Sequence, residues 1–78
     1  MRKKQRKLVV TFHTTADAMD MEQVCRQRQV EGRLIPVPTA ISAGCGLAWC
    51  AGTDSRELLE QVMRDHGIRR HQIQECMV

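Results

Sequence analysis

Two prolines in three residues set the first constraint on this chain. In Leu34-Ile35-Pro36-Val37-Pro38 each proline pushes its predecessor out of helical space, so the segment is extended. A proline also has no N–H to give to a ladder, which places the segment at the edge of a sheet rather than in its middle. Leu8 to Phe12, short, apolar and β-branched, reads as a buried strand. Between the two, Thr14 or Thr15 can cap a helix with Asp17 favourable in its first turn. That helix is predicted over about residues 16–29, with Ala18, Met21 and Cys25 on one face, Val24 beside them, and Glu31-Gly32 as the stop.

The second half repeats the order without repeating the sequence. Thr39 to Gly46 is a loop of small residues, and Leu47 to Ala51 is an extended apolar run closed by Gly52. Asp54 with Glu57 has the pattern of a capping box. Leu58, Leu59, Val62 and Met63 give a second amphipathic helix, which Gly67 terminates. His71 to Val78 alternates weakly and reads as a last strand. Strand, helix, strand, strand, helix, strand predicts an α+β sandwich of the ferredoxin-like βαββαβ type, with two helices on one face of a four-stranded antiparallel sheet. A chain of 78 residues is one small domain, and its small core leaves dimerisation open.

Charge divides the chain differently. Twelve basic and nine acidic residues give +3, but Arg2, Lys3, Lys4, Arg6 and Lys7 all fall in the first seven positions. Without them the body holds seven basic against nine acidic residues, a balance of −2. The expected organisation is a disordered basic tail over 1–7 and a single domain over 8–78. The body is no basic nucleic-acid module. With Phe12 and Trp49 as its whole aromatic content, it has no base-stacking platform either. The tail can steer the protein toward acidic partners or serve solubility alone.

Leu8-Val9-Val10 after the basic start is too short for the roughly 7–15 apolar residues of an export signal, and no run approaches the roughly 20 needed to span a bilayer. The four cysteines, Cys25, Cys45, Cys50 and Cys76, are therefore expected as thiols in a reducing cytoplasm.

The segment richest in chemistry is Ser42-Ala43-Gly44-Cys45-Gly46-Leu47-Ala48-Trp49-Cys50. A cysteine between two glycines has little side-chain cover and lies on backbone open to unusual torsions. Free amides around it, from Ser42, Gly44 and Gly46, can form an anion-binding nest that favours thiolate. The competing reading makes Gly44 and Gly46 the shape of a hairpin and Cys45 a small buried filler. In an extended strand Cys50 and Ala48 face one way, Leu47 and Trp49 the other. Cys50 is then either packed beneath a helix or a resolving thiol for Cys45, which needs the two Cβ atoms within about 4 Å. Cys25 belongs to the core face of the first helix, and Cys76 has no clear orientation. His13, at the end of the first strand, can reach a loop thiol or simply end the strand. Arg69-Arg70 can meet an anion or solvate a turn, and Glu22 sits at the rim of the first helix. Cys45 and Cys50 are the only close cysteine pair and no C-x-x-C exists, so no metal site is expected. No cofactor motif appears.

Phe12-His13-Thr14-Thr15-x-x-Ala18, Glu22, Leu34-Ile35-Pro36-Val37-Pro38, Ile41-Ser42 and Cys45-Gly46-Leu47-Ala48 together resemble the selenium/sulfur carrier protein-like family of small bacterial proteins. The resemblance covers roughly Lys7 to Gly67, and its most specific piece is Pro-x-Pro followed seven residues later by Cys-Gly. It implies a carrier in which Cys45 holds sulfur or selenium transiently as a persulfide or perselenide, between donor and acceptor proteins, rather than a complete enzyme. The tail before Lys7 and the cysteine at position 50 are not features of that pattern. Two other readings stand beside it: a non-enzymatic interaction or regulatory module using the Pro36/Pro38 edge, and a Cys45/Cys50 redox switch.

Overall fold

The computed structural model describes residues 5–38, 41 and 46–78, of which 70 and 71 by backbone alone. The elements run β1 (Arg6–Phe12), α1 (Thr15–Gln27), β2 (Arg33–Pro36), β3 (Leu47–Ala51), a 3₁₀ turn (Thr53–Ser55), α2 (Arg56–His66) and β4 (Arg70–Met77). The strands form one antiparallel sheet in the order β2-β3-β1-β4. This is the ferredoxin-like α+β arrangement that the order of elements predicts. Among the described residues no helix is long and apolar enough to cross a membrane.

Everything is hung on β1. Leu8 to Phe12 are five consecutive residues with no exposed surface, because β3 flanks the strand on one side and β4 on the other and both sheet faces are covered. Leu8, Val10 and Phe12 point into the main core with Ala18, Met21 and Cys25 of α1 and Leu59, Val62 and Met63 of α2. Val9 points the other way, into a smaller cluster with Ala48 and Ile41. Thr11, also on that face, donates its hydroxyl to the carbonyl of Gln72 at 3.4 Å, which satisfies the one fully buried polar side chain in the strand. The strand begins at Arg6, not at Leu8: Arg6 and Lys7 pair with Met77 and Cys76. Gln5 exchanges backbone bonds of 2.9 and 3.0 Å with Val78. The expected tail over 1–7 therefore gives up its last residues to the sheet. Ladder bonds join backbone groups and are indifferent to the charge of an outward side chain.

Helix α1 starts as its sequence requires: the Thr14 hydroxyl accepts from the Asp17 amide at 3.1 Å, and Asp17 lies in the first turn. Its end differs from the expected Glu31-Gly32 stop. Helix geometry ceases at Gln27, and Gln29 takes the left-handed position at φ 56°. Two bonds hold it there, Val30 N–H to Cys25 C=O at 2.8 Å and Gln29 N–H to Arg26 C=O at 3.3 Å, the pairing of a Schellman motif. Val30 packs back on the core, which offsets the roughly 1 kcal/mol that a side chain loses in this conformation. Helix α2 ends in the same motif, with Gly67 at φ 64° and Ile68 N–H on Met63 C=O at 3.0 Å. Arg28 and Asp65, 3.2 Å apart, tie the two helix ends together. The capping box on Asp54 does not form. A 3₁₀ turn closed by Ser55 N–H on Gly52 C=O at 3.0 Å leads straight into α2, and Ser55 holds the cap position without a side-chain bond.

At the edge, Pro36 sits opposite Leu47 as the last residue of β2, and Pro38 lies beyond the strand. Gly32, just before β2, has φ 137°, and a Cβ there would strike Trp49 Nε1 and meet Trp49 Cε2 at 2.6 Å and the Cys50 carbonyl at 2.8 Å. Torsion and space both demand glycine. Gly32→Ala is expected to lower the unfolding free energy by about 1–3 kcal/mol, and Thr14→Ala by about 1 kcal/mol. Urea denaturation of each variant measures both.

Candidate functional site

The loop between β2 and β3 is the segment that the sequence marks for chemistry. Of its candidate residues, Ser42, Gly44 and Cys45 lie outside the described residues, and Gly46 lies within them. The loop leaves and rejoins the sheet through one backbone bond, Val37 N–H to Gly46 C=O at 3.0 Å, which adds a rung beyond Pro36 and Leu47. Ile41 is held to Pro38 by a backbone bond of 2.9 Å. With 6% of its surface exposed, it packs on Val9 and Ala48 across the face away from the helices. The loop is thus sewn to the sheet at its middle as well as at its ends. Gly46 itself is exposed, at φ 95°, with nothing within 4 Å of the place a Cβ would take. Its torsion, not crowding, calls for glycine.

Register brings other groups to this end of the sheet. Thr11 is opposite Ala48, so the chain leaving β1 through exposed His13 does so at the end where Gly46 enters β3. Helix α1 begins here too, with its capped amino terminus at Thr14. Across β1, Phe12 is paired with Arg70 after a shift in register that sets His71 out of step, and Arg69 is exposed just before it. The start of α1, His13 and Arg69 thus lie toward the same end of the sheet as Gly46.

The remaining cysteines are separate, free thiols. Cys25 is fully buried in the main core. Cys50 alternates with Trp49 as a strand requires, so Trp49 is in the core and Cys50 lies on the opposite face, between Val9 of β1 and Arg33 of β2. It is not beneath a helix. Leu47 and Cys50 are three residues apart on one straight strand, about 10 Å, so Cys50 is at the far end of β3 from the loop. Cys76 shares its face, one strand further away, beside Lys7. No group of three or more His, Cys, Asp or Glu among the described residues is placed to hold a metal. Far from the loop, the structure also shows a concavity between α1 and β2, lined in part by Trp49 and Arg33, to which sequence reasoning gave no role. The only signal for it in the chain is an isolated glycine before Arg33.

The family model described as Putative Se/S carrier protein-like covers residues 7–75, nearly the whole chain, and the chain belongs to that family. No curated protein and no solved structure matches it.

Burial pushes the Cys25 thiol from its ordinary value near 9 up to about 11, against a smaller opposing pull from the Arg28 guanidinium. Cys25 is accordingly a protonated core group and no nucleophile. Folding favours its protonated form, so the stability it contributes is complete below about pH 9 and is lost as pH rises through about 11. Urea midpoints are expected to fall over that interval in the wild type, and to fall less steeply in Cys25→Ala. Native alkylation at neutral pH, followed by peptide mass spectrometry, should label Cys76 and spare Cys25 until denaturant is added.

Proposed function

We propose that the protein is a sulfur or selenium carrier whose working group is the Cys45 thiol. The observation that carries this reading is the family match over residues 7–75, taken with the Cys-Gly pair at the point where the loop re-enters the sheet. In the transfer, the Cys45 thiolate attacks the terminal sulfur of a donor protein's persulfide. A new S–S bond forms to Cys45, the donor's own S–S bond breaks, and the donor sulfur departs as thiolate. No oxidant or reductant is consumed. The same exchange moves selenium from a donor perselenide. Discharge is the reverse step with an acceptor's nucleophile in place of the donor thiolate.

Three features support the assignment. Gly46, the residue after Cys45, is exposed and takes a positive φ, with no side chain to cover its neighbour. The amino terminus of α1 and His13 lie at that end of the sheet, which suits a thiolate and the anionic persulfide or perselenide it becomes. Finally, the family likeness runs through Cys45-Gly46 and its pattern holds no cysteine at position 50, which favours a single working thiol over a Cys45/Cys50 pair. The carrier reading makes the protein a shuttle between partner proteins in a reducing compartment, without a complete active site of its own.

Incubation with a cysteine desulfurase supplied with cysteine, or with selenocysteine, followed by intact-mass analysis, is expected to show one added sulfur or selenium. The adduct should survive in Cys50→Ser and vanish in Cys45→Ser. An unchanged wild-type mass, or an adduct retained by Cys45→Ser, would overturn the assignment. Mild oxidation should yield no bond between Cys45 and Cys50 within one chain.

A further inference from the structure

Trp49 is the only tryptophan in the chain, it is 3% exposed, and its indole Nε1–H is buried with no hydrogen-bond partner among the described residues. A buried donor left unpaired costs about 1–3 kcal/mol, and a polar group in that state is uncommon enough to need a reason. The nitrogen lies against Gly32, and both residues line a cleft of about 300 Å³ between α1 and the β2 edge. The other walls are Glu22 and Arg26 from α1, Val30 from the turn after it, and Arg33 at the start of β2. Arg33 makes no ion pair or side-chain hydrogen bond among the described residues. Arg26 has only Glu22, one helical turn away at 3.9 Å, a spacing and exposure that bind weakly.

Two guanidinium groups and one carboxylate leave the cleft one positive charge in excess. The charged heads are at its rim, while Val30 and the indole ring make an apolar wall. An occupant that matches all of this has an oxyanionic head and a short apolar body. We propose that the cleft between α1 and β2 is a binding site for a small organic anion, with Arg26 and Arg33 holding its carboxylate or phosphate oxygens and the Trp49 indole N–H as the neutral donor. Arginine is suited to such heads because its planar fork can give two parallel bonds. Gly32 lies against the nitrogen and has no side chain to cover it. The site is at the opposite end of the sheet from the cysteine loop, and its existence does not rest on the carrier reading.

Because no other tryptophan and no tyrosine contribute, Trp49 emission reports on this cleft directly. The titration is made on full-length Cys45→Ser protein, which lacks the carrier thiol, so the result is independent of sulfur transfer. Hexanoate and hexyl phosphate are the probes, with hexanol and sulfate as controls, all at constant ionic strength. At least one of the two organic anions is expected to change the emission saturably, and comparison of the two tells which head group is preferred. Hexanol and sulfate should give at least about ten-fold weaker responses. Arg33→Gln, an exposed position, should weaken binding about ten-fold or more, the loss expected for a charged hydrogen bond. Glu22→Gln should tighten it, because the competing carboxylate on Arg26 is gone. Circular dichroism establishes that each variant is folded, and Arg26→Gln serves as the second variant if Arg33→Gln is not. A response that is linear in ligand, equal for hexanol or sulfate, or unchanged in both arginine variants would overturn the proposal.

Discussion

The fold depends on one strand having to be dry on both faces. A ferredoxin-like sheet has two helices, and they cover one face only. In this protein the central strand is apolar without alternation from Leu8 to Val10, and Val9 is as fully buried as its neighbours. Something other than a helix must cover it. The β2–β3 connection does so, by setting Ile41 on Val9 and Ala48, with Ile35 and Val37 alongside. The loop that carries the proposed carrier cysteine is therefore a structural lid for the second core. Its anchoring residue contributes to stability through burial, and the same contact restricts where the loop can go.

Much of this was readable in the sequence, and for physical reasons. Pro36 and Pro38 marked the edge because a missing N–H cannot be replaced by packing. Leu47 to Ala51 was legible as a strand, and the period of two put Cys50 and Trp49 on opposite faces. What alternation does not say is which face the helices take, so Cys50 was open to being placed beneath one until the register with Val9 and Arg33 was known. The true end of α1 is hidden in the sequence because Gly32 looks like a stop, while Gln29 has nothing in its side chain to announce a left-handed torsion. Its conformation is fixed by the bonds from Val30 and by that residue's place in the core. Asp54 and Glu57 had the spacing of a capping box, but a 3₁₀ turn already bonds the backbone there. The start of β1 was obscured by charge, which patterning treats as a boundary and a ladder does not. Ser42, Gly44 and Cys45 stand out by local pattern, and Cys45 also by the Cys-Gly of the family likeness.

The two ends of the sheet have different characters. At one end the cysteine loop closes beside the start of α1 and His13. At the other, the last turn of α1, Gly32 and Arg33 bound a cleft over the edge of Trp49. Strand β3 spans both, and its five residues serve each end with a different face. The α1 helix likewise presents its amino terminus to one end and Arg26 to the other. So short a chain can hold two chemically distinct surfaces because each element contributes at both of its ends.

The burial of Cys25 has a consequence for cargo retention. A labile sulfur atom passes to any thiolate that can reach it, and a carrier's own spare thiols are the nearest ones. Cys25 is denied to such an exchange twice, by enclosure in the core and by a pKa that keeps its proton in place. Cys50 is itself buried, toward the end of β3 away from Leu47. If Cys45 bears the proposed load, the architecture that makes the core also keeps that load from being lost to Cys25.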